Sequence, residues 1–376
     1  MARANQEEGL GIVHPTRYWH ALPDGRVQCD VCPRECKLND GQRGLCFVRA
    51  AQGSQIVLAS YGKSSGFCVD PVEKKPLNHF LPGTPILSFG TAGCNLACSF
   101  CQNWDISKSR ELEKLSASAS PQVIARAAAA VGCRSVAFTY NDPVIFHEYA
   151  IDIAQACHEL GVKAVAVTAG YVNAAPRAEF YRYMDAANVD LKAFTEDFYW
   201  KITKGHLQPV LDTLKYLKHE TKTWFEITTL LIPGENDSAG EIEAMTQWIM
   251  ENLGPHVPLH FTAFHPDYRM RDKTNTPHQT LIAARRIATK NGLRYVYVGN
   301  VNDLGRQSTY CACCGERLIG RDWHRLSEWQ LDASGACLSC GTKLPGVFEP
   351  QPGNWGAKRL PIDPNPIAFG AWDPPH

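Results

Sequence analysis

The chain of 376 residues contains no apolar run approaching the roughly 20 residues that a membrane span requires. Its opening stretch, "MARANQEEGLGIVHP", lacks the apolar segment of a signal peptide. There is no surplus of charge, because 38 Lys and Arg residues balance 38 Asp and Glu. No basic field therefore recruits nucleic acid in bulk or a membrane surface. Internal repeats are missing as well. These absences leave a cytoplasmic enzyme as the expectation. A hydrophobic share of 44% beside 20% charged residues is that of an ordinary globular chain, long enough for one large domain with smaller appendages.

What the chain does have is cysteine. There are fifteen, an odd count with no secretion signal, which speaks against a disulfide framework. They also cluster. Four fall in "CDVCPRECKLNDGQRGLC" (Cys29, Cys32, Cys36, Cys46), three in "CNLACSFC" (Cys94, Cys98, Cys101) and five near the C-terminus (Cys311, Cys313, Cys314, Cys337, Cys340). Cys68, Cys133 and Cys157 stand apart and read as buried or incidental thiols. Grouping at short spacings in a reducing compartment points to metal coordination.

From about residue 85 to residue 300, β-branched runs alternate with helical patterns. The strand candidates are "PILSFG", "SVAFTY", "KAVAVTA", "NVDLKAF", "TWFEITTLLI", "PLHFTAF" and "RYVYVG". Between them lie helical stretches such as "PQVIARAAAAVG" and "AGEIEAMTQWIMENLG", the latter opening after "PGENDS" with its good N-cap residues. Such alternation predicts an α/β fold of parallel strands with right-handed crossovers. The expectation is a partial or complete β/α (TIM-like) barrel over residues 85–305. It is flanked by a cysteine-rich N-terminal segment, 1–84, and a C-terminal zinc-ribbon-like module with a Pro/Gly-rich tail, 306–376. An open doubly wound sheet is the competing arrangement. The tail, dense in proline, is expected to lack regular structure and to wrap a surface or stay mobile.

The spacing Cys94-x3-Cys98-x2-Cys101 follows the first strand, where the functional loops of such barrels lie. Three thiols cannot pair completely, and tetrahedral zinc wants four ligands. A [4Fe-4S] cluster held by three thiolates leaves one iron free for a further ligand. The bland reading is a three-thiol zinc site completed by a distant histidine.

The order C-x3-C-x-aromatic-C in "CNLACSFC" resembles the signature of radical S-adenosylmethionine (radical SAM) enzymes. The resemblance implies that Cys94, Cys98 and Cys101 hold the catalytic cluster, that its free iron chelates S-adenosyl-L-methionine, and that reductive cleavage yields a 5′-deoxyadenosyl radical. Phe100 would lie beside adenine, with Gln102 and Asn103 in the cofactor-binding loop. "CNLACSFCQNWDIS", "DLK" and "FHPDY" are similar to the pyruvate formate-lyase activating enzyme branch. The series "CDVCPREC", "GQRGLCFVR", "DPVEKKPLNHFLPG", "AFTYNDP", "LIPGEND" and "FHPDY", covering most of residues 25–305, resembles the AmmeMemoRadiSam system radical SAM proteins. That implies Memo-like and Ammecr-like proteins as partners beside a one-electron donor.

By motif, the resemblance assigns cofactor contacts to Thr139, Asn141 and Asp142 at the second strand, in place of the superfamily's Gly-Gly-Glu. It assigns Asp190 and Lys192 of "DLK" to the methionyl carboxylate and ribose, and His265 of "FHPDY" to the cofactor's surroundings. Thr168 and Gly170 of "VTAGY" are placed near the ribose. Each has the plain alternative of a satisfied polar residue at a strand end, and Asn236 and Asp237 of "LIPGEND" are equally candidates for helix caps. The lysines of "EKKP", Lys74 and Lys75, read more simply as solvated than as substrate contacts.

Among the outer groups, Cys311-x2-Cys314-Gly and Cys337-x2-Cys340-Gly form two knuckles of the zinc-ribbon type, with zinc favoured over iron and Cys313 outside the set. Cys29, Cys32, Cys36 and Cys46 suit either zinc or a second iron–sulfur cluster. The function expected is hydrogen abstraction by the 5′-deoxyadenosyl radical from an unspecified substrate. The alternatives are a glycyl-radical enzyme activase and a metal-bearing interaction protein with an inert barrel.

Overall fold

A computed structural model describes residues 13–108 and 117–372. Seven parallel strands form its centre: β1 (Pro85–Gly90), β2 (Ser135–Phe138), β3 (Lys163–Thr168), β4 (Ala186–Asp190), β5 (Trp224–Leu231), β6 (Leu259–Ala263) and β7 (Val296–Gly299). Each lies beside its predecessor in chain order, with β1 and β2 in a register that sets Phe89 opposite Phe138. Nearly every residue of these strands is buried, as expected of parallel strands covered on both faces. All seven strand candidates overlap these elements, although only Asn188–Asp190 of "NVDLKAF" lie in β4.

The crossovers carry α1 (Pro121–Val131), α2 (His147–Glu159), α3 (Ala174–Arg182), α4 (Gln208–Glu220), α5 (Ala239–Leu253) and α6 (His278–Lys290). Ser120 caps α1 by accepting from the Val123 amide, and Ser238 caps α5 by accepting from Glu241. Of the cap candidates in "PGENDS", the serine takes the position.

The complete form of the barrel is not what the chain builds. The free edge of β1 is occupied by an antiparallel strand from the N-terminal segment, Lys63–Pro71, which pairs on its other side with Leu360–Pro361. The result is an open mixed sheet of nine strands along one path, ending at β7. The doubly wound alternative does not describe it either, since the parallel strands follow chain order without the reversal that makes a switch point.

The tail also departs from expectation. It wraps the sheet, but through regular elements: Leu360–Pro361 and a short helix, Pro364–Ala368. Proline favours the first turn of a helix, and Asp363 caps this one by accepting from the Asn365 amide at 3.0 Å. Residues 306–345 form the separate antiparallel sheet of Thr309–Tyr310, Arg317–Asp322 and Arg325–Trp329. This module docks near the N-terminal ends of the parallel strands. Its Arg321 donates to the Asn78 carbonyl at 2.6 Å, and His79 bonds both the Pro345 carbonyl and Tyr297. No helix among the described residues is long and apolar enough to cross a membrane.

Candidate functional site

The loop that leaves β1 carries Cys94, Cys98 and Cys101. It is braced by backbone and side-chain hydrogen bonds. Ala97 and Ser99 donate to the carbonyls of Thr203 and Ile202, and Arg269 donates to Ser99. Lys108 Nζ reaches the Leu96 carbonyl at 2.9 Å, and the Asn95 amide reaches the Tyr171 carbonyl at 2.9 Å. Gly93 begins the loop with a positive φ of 85°. Cys98 is buried, while Cys94 and Cys101 are partly open.

Each thiol lies in the field of the next: Cys94 senses Cys98, and Cys98 senses Cys101. Burial pushes the Cys94 thiol up to about 12, with Asp142 adding to the rise and Lys108 opposing it. Burial likewise raises Cys98, against the pull of Lys192. Such thiols stay protonated until a cationic body displaces the protons. Three thiols in one another's field on a braced loop are a donor set that fits a [4Fe-4S] cluster.

The next strand ends surround this loop. After β4, Lys192 Nζ bonds Asp190 Oδ2 at 2.7 Å and lies 5.8 Å from the centroid of the Phe100 ring. Burial disfavours the Lys192 ammonium, but Asp190 and Cys98 outweigh it and raise its pKa. Phe100 itself is buried beside Phe198, ring centroids 5.9 Å apart. After β2, Tyr140 takes a left-handed φ of 69°, a strained conformation for a bulky residue. It turns Asn141 inward, where the side chain accepts from the Thr91 amide and donates to the Gly93 carbonyl at 2.8 Å. Asp142 accepts from Thr168 Oγ1 and from the Ala169 amide, each at 3.0 Å, tying β2 to β3. Gly170 is left-handed, and its carbonyl accepts from Thr213 Oγ1. Thr139 is buried at the end of β2.

Thus Cys94, Cys98, Phe100, Cys101, Asn141, Asp142, Asp190 and Lys192 gather on one end of the sheet, with the side chains of Asn141 and Asp142 engaged inside the protein. Gln102, Asn103 and His265 are exposed nearby on their loops. Three further side chains brace this end: Asn95, Tyr199, whose hydroxyl accepts from the Lys192 amide at 3.1 Å, and Asn236, whose side chain donates to the Lys192 carbonyl at 2.6 Å. The Asn95 and Asn236 contacts span 76 and 44 positions, so spacing does not reveal them. Lys74 and Lys75 are not the solvated pair that the sequence suggests: Lys75 is buried, and both bond the buried Asp70, at 2.8 and 2.7 Å.

The Radical SAM superfamily profile matches residues 89–249, from the end of β1 into α5. The chain is 37% identical over 328 residues to "Uncharacterized protein MJ0808" of Methanocaldococcus jannaschii, covering 87% of this chain and 97% of that protein. The chain belongs to the radical SAM superfamily of enzymes. This radical SAM chain is also 25% identical to the pyruvate formate-lyase-activating enzyme of Clostridium pasteurianum over 194 residues, 48% of this chain and 80% of that one. A radical SAM methyltransferase from Sphaerobacter thermophilus resembles it in structure with a TM-score of 0.46 at 15% identity, over 76% of each chain.

The radical SAM chain carries two further cysteine quartets. At the C-terminal module, the sulfurs of Cys311, Cys314, Cys337 and Cys340 all lie within 4.8 Å of one another. Each knuckle closes by a backbone hydrogen bond onto its first cysteine, the Gly315 amide donating to the Cys311 carbonyl and the Gly341 amide to that of Cys337. Hydrogen bonds with Thr342 favour the thiolate at Cys340, while within the same set the Cys314 thiol is raised. Cys313 faces solvent outside the set, and Cys68, Cys133 and Cys157 are buried. In the N-terminal segment, Cys29, Cys32, Cys36 and Cys46 line one recess together with Arg34, Arg49 and Asn95. Burial pushes Cys29 up to about 12 and raises Cys32 and Cys46.

Proposed function

We propose that this protein is a radical SAM enzyme in which Cys94, Cys98 and Cys101 hold a [4Fe-4S] cluster and S-adenosylmethionine takes the remaining coordination position. When bound and reduced, that cluster supplies the electron that splits S-adenosylmethionine into methionine and a 5′-deoxyadenosyl radical, which abstracts hydrogen from substrate. The observation that carries the reading is the placement of the three-thiol loop against the Asp190–Lys192 pair and Phe100. The ammonium of Lys192 is held where a methionyl carboxylate would gain a charge-assisted bond. Asn141 and Asp142 hold the loop and the adjoining strand ends still. Thr168 and Gly170 shape the floor near the ribose, and His265, Gln102 and Asn103 line the approach.

The series of motifs from "CDVCPREC" to "FHPDY" supports membership of the AmmeMemoRadiSam system, with Memo-like and Ammecr-like proteins as partners and a one-electron carrier as donor. The C-terminal quartet is read as a zinc site of structural purpose, because it docks at the opposite strand ends from the cysteine loop. A second reading, activation of a glycyl-radical enzyme, is favoured by the similarity to the Clostridium pasteurianum activating enzyme.

The test is anaerobic reconstitution, reduction and incubation with S-adenosylmethionine. The wild type is expected to release 5′-deoxyadenosine, and Cys98→Ala to release none. Undiminished product from the variant removes this loop as the catalytic site.

A further inference from the structure

We propose that Cys29, Cys32, Cys36 and Cys46 hold a second [4Fe-4S] cluster, and that this cluster is where the electron destined for the Cys94–Cys98–Cys101 loop enters the protein. The inference rests on the radical SAM reading of that loop. Spacing alone leaves the quartet open between zinc and a cluster. Its surroundings do not.

The chain offers its own comparison. Four thiolates on zinc, each at about 2.3 Å, stand about 3.8 Å from one another along the edges of a tetrahedron. The C-terminal quartet already has that form, with Cys311 and Cys340 sulfurs 3.5 Å apart and those of Cys314 and Cys337 3.7 Å apart. Among the described residues it is the one set of three or more such side chains with all ligand atoms within 4.8 Å. The N-terminal quartet is set more widely around one small shared recess of about 20 Å³. Thiolates standing farther apart than the edge of a zinc tetrahedron suit a body with four irons, each taking one thiolate, better than a single ion.

The walls suit a cluster too. Val31, Val144 and Ile145 make much of the recess apolar, and all three are buried. Arg34 and Arg49 supply positive charge against the negative charge of a thiolate-ligated cluster. Arg49 is anchored by Glu148 and the Ile145 carbonyl, whereas the Nη2 of Arg34 is buried without a hydrogen-bond partner.

Position supplies the role. Asn95, inside the three-cysteine loop, is part of the wall of this recess, and its carbonyl accepts from Arg34 Nε at 2.9 Å. The carbonyl of Cys46 presses on Gly93 so closely that a Cβ there would stand 1.9 Å from the oxygen. A ligand of the N-terminal site thus touches the residue that precedes Cys94. A zinc ion in this place would be redox-inert. A cluster can take one electron from a low-potential carrier of the flavodoxin or ferredoxin class, passing from the 2+ to the 1+ state. Its return to 2+ delivers that electron across the Cys46–Gly93 contact, with no bond made and no proton moved.

The test is a metal count on the full-length, anaerobically reconstituted protein, followed by electron paramagnetic resonance and reduction kinetics. The wild type is expected to hold about eight irons and one zinc, and Cys36→Ser and Cys98→Ala about four irons each. The reduced wild-type spectrum is expected to differ from the sum of the two variants, because neighbouring paramagnets broaden one another. Reduction of the loop's cluster by reduced flavodoxin should slow at least tenfold in Cys36→Ser. About four irons and two zincs in the wild type, with the iron lost in Cys98→Ala, overturns the second cluster and leaves the radical SAM reading standing. Iron retained in Cys98→Ala but absent from Cys36→Ser, with about four in the wild type, overturns that reading itself. Unchanged reduction kinetics overturn the role as electron entry. The wild-type metal count decides the site even where a variant does not fold.

Discussion

Asp190 and Lys192, two positions apart at the end of β4, form a 2.7 Å ion pair whose ammonium lies beside the ring of Phe100. The lysine side chain is 13% exposed, and its backbone is held by Tyr199 and Asn236. It is therefore a preset positive charge next to the cysteine loop. Lys192→Met keeps the apolar stem and removes the charge, and Asp190, 37% exposed, remains solvated without it. The expected outcome is unchanged iron content with S-adenosylmethionine binding weakened about ten- to hundredfold, the worth of a charge-assisted bond of roughly 1.5–3 kcal/mol. Calorimetric titration of the reconstituted variant measures it. Wild-type affinity would remove Lys192 from the site.

Gly93 combines a left-handed φ of 85° with the contact against the Cys46 carbonyl. Any side chain there is strained twice, by its own backbone and by a neighbour that cannot rotate away. Gly93→Ala is expected to lower the melting temperature and to reduce iron retention at the cysteine loop. Iron per chain and thermal unfolding report on the two effects. A variant with the wild type's iron content and melting point would show that the contact is slack.

Removing two ligands from the C-terminal quartet, as in Cys337→Ser with Cys340→Ser, should release about one metal equivalent and loosen that module, since zinc supplies folding free energy to small modules. The cysteine loop, at the other end of the strands, should keep its iron. Elemental analysis separates the two metals, and unaltered zinc content would mean that this quartet is not a site.

Glu73 is a buried carboxyl at the turn before β1, accepting from the Gly83 amide at 2.7 Å while its second oxygen has no partner. Burial lifts its pKa from 4.5 to about 7, against the opposing pull of Arg321. A carboxyl with a folded pKa above its unfolded one contributes stability that is fully present below pH 4.5 and lost as pH rises through 7. The loss amounts to something on the order of 3 kcal/mol. Glu73→Gln imitates the neutral acid, so it should unfold at higher denaturant than the wild type at pH 8, with the gap closing toward pH 5. A gap independent of pH would show that Glu73 does not titrate in this window.

Much of this protein was legible along the chain. The seven parallel strands are runs of β-branched and apolar residues because they are buried on both faces, and such runs are visible without any partner. The cysteine loop and the two C-terminal knuckles are local as well: ligands three or four positions apart stay close together wherever the chain goes. Ser238 and Gly315 announce a helix start and a knuckle turn for the same reason.

Tertiary structure decided what depends on distant partners. Whether the sheet closes turned on Lys63–Pro71 covering the edge of β1, a pairing that no periodicity in β1 encodes. The proline-rich tail gained its strand because Leu360 and Pro361 found the outer edge of that same element. Asn141, Asp142 and Asn236 bear the polar composition of turns, and only packing showed their side chains spent on holding Thr91, Gly93, Ala169 and Lys192. The contact of Cys46 with Gly93 spans 47 positions of sequence, and the Arg34–Asn95 bond spans 61. Spacing fixes which thiols can share a metal, because a few bonds limit their reach. Which metal site lies beside which is settled by the burial of strands and loops far apart in the chain.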